Sequence, residues 1–205
     1  INTRMKKIKN NINKIYGVKM MTWAEDLFDY NRSLTGRGVR KTLNYFKKFL
    51  PELKIYSVKS GSKAFDWKVP NEWEIHKAYI EDLHGNRIID FKENNLHVLG
   101  YSTSINKILS FKDLNKKIYS DSKQVNAIPY RTSYYKKDWG FCLTDKQRKK
   151  LNKKSKYKVK IDSRHFKGKL NYGEIFIKGK VKKEILFSCN ICHPSMANNE
   201  LSGPI

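Results

Sequence analysis

Apolar positions recur at three- and four-residue spacing in two places near the start of the chain. Met20, Trp23, Leu27 and Phe28 predict a short amphipathic helix over Thr22–Tyr30, with Thr22 as its N-cap. Val39, Leu43, Phe46 and Leu50 form the stripe of a second helix, entered through the turn Ser33-Leu34-Thr35-Gly36-Arg37-Gly38 and closed by Pro51. From Lys54 the period shortens to two. Ile55, Ser57 and Lys59 alternate with Tyr56 and Val58 until Ser60-Gly61-Ser62 turns the chain. Phe65–Pro70 and Trp73–Ile75 read as edge or loop segments, because Pro70 cannot donate to a ladder. Ala78–Asp82 and Arg87–Phe91 flank Leu83-His84-Gly85-Asn86 and predict a hairpin. Short strands at Tyr101–Thr103 and Ile105–Leu109 precede a helix over Phe111–Tyr119, and Thr144 caps another over Thr144–Leu151. Tyr157–Asp162, Tyr172–Lys178 and Glu184–Ile191 read as strands, the last two joined by the polar turn Gly179–Lys183. Helices first, a β-rich middle and strands at the end give a mixed α/β (α+β) class.

Composition bounds this picture. The 205 residues are 39% hydrophobic and 13% aromatic, enough for a packed core. No apolar run approaches the ~18–20 residues of a membrane span. Ile1–Asn13 is rich in Lys and Asn without an apolar stretch, so it does not read as a secretory signal, and Ile1–Val18 is expected to be a leader with little structure of its own. Three cysteines make no disulfide framework, and a reducing, cytoplasmic setting is the simpler expectation. The final Leu201-Ser202-Gly203-Pro204-Ile205 carries no helix stop signal, so a further element is expected after it.

The net charge of +24, from 43 basic and 19 acidic residues, invites a nucleic-acid reading. Binding domains gather such charge on one face or interleave it with stacking aromatics. Here lysines occupy nearly every segment, with runs at Lys146–Lys160 and Lys178–Lys183, often beside Asn and Ile. That spread favours a solvated surface over a nucleic-acid partner.

The densest chemistry lies in Cys189-Asn190-Ile191-Cys192-His193-Pro194-Ser195-Met196-Ala197-Asn198-Asn199-Glu200-Leu201-Ser202-Gly203. Cys-x-x-Cys-His is the attachment pattern for c-type haem, and Met196 could serve as an axial ligand. The apolar run Ile185–Phe187 before it and the lack of an export signal argue against haem. A structural zinc held by Cys189, Cys192 and His193 would need a fourth ligand, and no second Cys/His pair exists. A third reading takes His193 alone, at the C-terminal end of a strand where ligands collect in α/β sheets, with Asn199 or Glu200 reaching the same ion. Cys142, Cys189 and Cys192 otherwise read as buried small hydrophobes, and His76, His84, His97 and His165 as surface or satisfied residues.

Several segments together resemble a bacterial aminopeptidase-like family. They are Arg32–Leu43, Phe65-Asp66-Trp67 with Pro70 and Trp73, Ile128–Tyr135, Trp139–Cys142, Tyr172-Gly173-Glu174 and Cys192-His193-Pro194-Ser195. Members carry labels such as "domain of unknown function" (DUF2172, DUF4910) or "polysaccharide biosynthesis protein with an aminopeptidase-like domain". The resemblance runs from about Thr22 to Ile205. It implies the N-terminal part of an M28-type zinc aminopeptidase fold with an inserted β-rich domain: a leader over 1–20, helices and first strand over 21–60, the insert over 61–155, and the start of a truncated catalytic sheet over 156–205.

The resemblance also implies a metal site. In that family a strand ends in a zinc-binding His, followed by an Asp-Asn-x-Ser-Gly turn whose Asp bridges two metals. His193 matches the first; Asn199 stands at the position of the Asp, a departure, with Glu200 next to it as a substitute if the turn points it inward. Ser195 stands where the wider class has an Asp that orients the His. The implied ligands are therefore His193, Asn199 and Glu200, for one or two zinc ions, with the general base and remaining ligands beyond Ile205. This segment alone is then not expected to be catalytic. The implied substrate is a small peptide or amide, or an amide-bearing sugar, with Tyr130, Arg131 and Tyr134 of the insert as candidate contacts. Tyr135 and Trp139 suit that role or a domain interface. A non-catalytic binding protein on the same fold is the alternative, and a homo-oligomer stays open. No membrane or nucleic-acid partner is expected.

Overall fold

The structure is a computed structural model that describes the backbone of residues 2–205 and the side chains from residue 15 onward. It opens with a helix, α1 (Asn2–Phe28), far longer than the one predicted over Thr22–Tyr30 and running back through the segment expected to be an unstructured leader. A helix closes its own backbone hydrogen bonds and needs no packed stripe to exist. Among the described side chains of α1, those that pack lie toward its end: Leu27 is fully buried, while Ile15, Tyr16, Val18, Met20 and Met21 are exposed. α2 (Arg37–Lys47) falls where its stripe predicted and buries Val39, Leu43 and Phe46. The elbow between them is tight. Gly36 has φ 141°, and a Cβ on Gly38 would lie 2.1 Å from the Asn31 carbonyl oxygen.

β1 (Lys54–Lys59) then leads out of this helical unit, past the small hairpin β2 (Lys63–Ala64) and β3 (Trp67–Lys68). The next strands are β4 (Glu72–Glu81), β5 (Arg87–Asp90) and β6 (Ile105–Ser110). A short α3 (Phe111–Asn115) and a parallel pair, β7 (Ile118–Tyr119) with β8 (Phe141–Cys142), follow. α4 (Asp145–Lys150) begins at Thr144 with a full capping box, Gln147 answering the cap. β9 (Lys156–Phe166) and β10 (Lys169–Glu174) close the regular structure.

The four-stranded antiparallel sheet has the order β5-β4-β9-β6. Its inner face, with Ala78, Ile80, Val159 and Ile161, packs on Leu114, Phe141 and Leu143 to form one core, each such side chain contributing about 1.5–3 kcal/mol on burial. A second core joins Leu27, Phe46, Leu53 and Leu201. β1 and β10 are antiparallel neighbours, Lys54 opposite Glu174, so the chain leaves the helical unit and re-enters it side by side.

Two sequence expectations need correcting. β9 was expected to begin the next sheet, but it lies between β4 and β6, so the sheet that holds those strands runs past 155 to Phe166. Alternation shows that a strand exists and is silent about its neighbours. Trp73–Ile75, expected as an edge or loop segment, is the first part of the ten-residue β4 and pairs with β9 alone, because β5 joins β4 only from Tyr79 onward, so it does lie at an edge. Glu184–Ile191 and the stretch 175–178 form no strand here. Ile185, Leu186 and Phe187 are 83–90% exposed and no ladder partner faces them, and alternation without a partner does not make a strand. No helix of the described residues is long and apolar enough to cross a membrane.

Candidate functional site

The segment after this unpaired run folds back onto α1. One irregular turn, Ala197–Leu201, buries Leu201 in the helical core and with it Glu200, whose side chain is fully buried. The inward Glu200 meets His193: Nδ1 and Oε1 lie 2.5 Å apart, with the imidazole 19% exposed. The Cys192 backbone N–H donates to the other carboxylate oxygen. Metal-binding donor atoms of Cys192, His193 and Glu200 all fall within 4.8 Å of one another. His193 Nδ1 and Glu200 Oε1 are both buried without a hydrogen bond of proper geometry. Orphaned lone pairs of this kind are costly unless something else occupies them.

Arg32 forms the floor. Its guanidinium is 1% exposed; Nε donates to the His193 carbonyl at 2.9 Å and Nη1 to the Leu27 carbonyl at 2.5 Å. Burial pushes its pKa down to about 10, against the raising charge of Glu200. One cation is thus fixed beneath the carboxylate, and the helix end is tied to the histidine. Burial, then the Glu200 charge, push the Cys192 thiol up to about 11, so it is a neutral thiol until a cation claims it. The wall comes from two tyrosines. The Tyr130 ring centroid lies 4.7 Å from that of His193. The Tyr134 hydroxyl is 3.5 Å from Nε2 and 3.2 Å from the Tyr130 hydroxyl. Burial raises both phenols, which stay protonated.

The sequence candidates therefore separate. His193, Glu200, Tyr130 and Tyr134 come together; Asn199 is exposed in the same turn, and the carboxylate that converges is Glu200 one residue later. Arg131 is exposed and lends its carbonyl to the Gly100 N–H. Ser195, at φ 46°, places its hydroxyl on Asn95 Oδ1 (2.6 Å) and the Phe28 carbonyl, not on His193. Cys189 is exposed and Cys192 half-buried, so neither is the buried hydrophobe expected; Cys142 is. His97 is buried and donates Nδ1–H to the Cys142 carbonyl at 2.8 Å, a satisfied core histidine. Arg32 was visible only as part of a motif, and Cys192 only as a haem or structural-zinc pattern.

Nitrogen, oxygen and sulfur donors from one short segment have the chemistry that suits a borderline cation such as zinc. Tetrahedral ligands at ~2.0 Å lie about 3.3 Å apart, so Nδ1 and Oε1, now 2.5 Å apart, would have to separate to share one.

Known proteins bear on this arrangement. Residues 72–164 match the family model described as "Domain of unknown function (DUF2172)". The chain is 46% identical over 187 residues to a Clostridium acetobutylicum protein named "Putative polysaccharide biosynthesis protein with aminopeptidase-like domain", covering 91% of this chain and 43% of that protein. A crystal structure of a "putative peptidase" from Clostridium acetobutylicum superposes with a TM-score of 0.89 at 44% identity, over 98% of this chain and 47% of that one. The resemblance to aminopeptidase-like proteins carried by the motifs thus holds in sequence, and the fold is the α+β fold of a peptidase-like protein. The chain spans about half the length of these relatives.

Proposed function

We propose that the full-length protein is a metal-dependent, aminopeptidase-like hydrolase of peptide or amide bonds, and that Cys192, His193 and Glu200 are this chain's share of the ligands. The observation that carries the reading is the convergence of three donors, with Nδ1 of His193 and Oε1 of Glu200 buried and orphaned. Zinc, when bound, would acidify a water toward pKa ~7 and polarise the scissile carbonyl. The chain's own residues prepare that step. Arg32 holds the His193 backbone; the Tyr130 and Tyr134 rings shield one side from water and offer protonated hydroxyls to a substrate carbonyl. Three free cysteines agree with a reducing, cytoplasmic setting. An amide-bearing sugar is a substrate to include, since one relative's name mentions polysaccharide biosynthesis.

The test is hydrolysis of a panel of aminoacyl-coumarin amides by the full-length protein. Activity should vanish with chelator, return with zinc, and fall more than about 100-fold in His193→Ala. Chelator-resistant hydrolysis, or none alongside metal-independent ligand uptake, would favour the binding-protein alternative, to which the exposed Asn199 lends some support.

A further inference from the structure

Next to Tyr134 lies a cavity of about 460 Å³. Its walls include Tyr101, Tyr134, Tyr135, Lys136, Lys137 and His165, and no aspartate or glutamate lines it. Neither lysine forms an ion pair among the described residues; the nearby Asp138 is held by Lys117 at 2.5 Å. In a chain whose lysines are otherwise spread, two neighbouring exposed lysines line one aromatic-walled hollow.

The hollow is built rather than incidental. Tyr101 is buried at φ 62°, a strained conformation for a bulky residue, and strain of about 1–3 kcal/mol persists only where the surroundings impose it. Its hydroxyl accepts the Thr35 N–H (2.9 Å) and bonds the Thr35 hydroxyl (2.7 Å), so the elbow between α1 and α2 sets the ring. The His165 Nε2–H donates to the Tyr101 carbonyl at 3.1 Å, and the edge of Tyr134 meets the Tyr101 ring at 5.1 Å. Tyr135, 83% exposed, stands beside Tyr134 at 86° and presents a free face at the rim. Fixed aromatic walls, a free stacking face and two lysines without an ion pair among the described residues are the elements of a subsite for a compact ligand with one negative charge.

We propose that this cavity is a subsite for a carboxylate group of the substrate, neutralised by Lys136 and Lys137, with the ligand's body against Tyr101 and Tyr135. It deepens the hydrolase reading and rests on it only for the word substrate: Tyr134 faces both places, so the carboxylate sits one tyrosine side chain away from the His193 donor cluster. Short peptides, whose terminal carboxylate lies close to the bond cut, fit that spacing, as do acidic amides.

The test is binding, measured by NMR titration of the 205-residue chain in EDTA, so that no metal contributes. The probes are N-acetylalanine, its neutral amide and inorganic phosphate. N-acetylalanine should bind at least about tenfold more tightly than the amide, and weaken at least about tenfold in K136Q/K137Q, whose two exposed side chains can change without unfolding the protein. Circular dichroism checks that fold. His193→Ala should bind N-acetylalanine as the wild type does, so failure of the metal reading leaves this result intact. Equal binding of acid and amide, no effect of the lysine changes, or phosphate preferred over N-acetylalanine would each overturn the assignment.

Discussion

Arg32 is the largest fully buried side chain among the described residues, and it joins the end of α1 to the backbone of His193. Methionine at this position has a similar reach and no charge, so the space stays filled while the two hydrogen bonds go. Each bond comes from a charged donor and is worth about 1.5–3 kcal/mol; without it the His193 carbonyl loses its partner, while the Leu27 carbonyl keeps the Tyr30 N–H. Part of that is returned, because the native guanidinium carries its own desolvation and an unpartnered Nη2. Arg32→Met should therefore destabilise the protein by about 2–4 kcal/mol. With a urea slope of about 2 kcal/mol/M, the unfolding midpoint falls by roughly 1–2 M at unchanged slope. Arg32→Lys keeps the charge but cannot reach the Leu27 and His193 carbonyls in one fork, so its loss should fall between wild type and Met. A Met variant within about 0.5 kcal/mol of wild type would refute the claim that this residue clamps the site to α1.

Three other perturbations read different parts of the account. Gly38→Ala should cost about 2–4 kcal/mol in the same urea assay, because the added Cβ meets the Asn31 backbone, which cannot move without opening the elbow. Gly17→Ala, with nothing within 4 Å in the middle of α1, should be neutral or stabilise by up to about 1 kcal/mol. His97 has its pKa lowered, by burial first, against the raising bond to the Cys142 carbonyl. The unfolded chain therefore takes up its proton before the folded one does: this contribution is complete above about pH 6.5 and is lost as pH falls below it. Urea midpoints between pH 7 and 5 should decline less steeply in His97→Asn, whose amide can still donate to Cys142.

Much of the fold is legible in the residues, and the reasons it stops are physical. The stripe of α2, the hairpin around Gly85 and the Thr144 cap are local signals and appear as predicted. The place of β9 in its sheet is not local, since its pairing with β4 joins residues some 80–90 positions apart. At the site, His193 and the choice between Asn199 and Glu200 could be framed from spacing and resemblance. The answer lay in an irregular turn, whose facing follows neither the 3.6 nor the 2 period. The cavity beside Tyr134 had no signature, because its walls come from four separate stretches of chain and its key residue adopts a left-handed backbone that no tyrosine advertises.

The central claim is that Cys192, His193 and Glu200 converge to hold a cation, and zinc titration calorimetry of the chain, paired with zinc-edge absorption, tests it most directly. The account predicts one zinc per chain at micromolar affinity or better, about −8 kcal/mol, with one sulfur at ~2.3 Å. His193→Ala and Glu200→Gln should each weaken it more than about 100-fold. Zinc uptake that both variants leave unchanged, or a shell without sulfur, would contradict it.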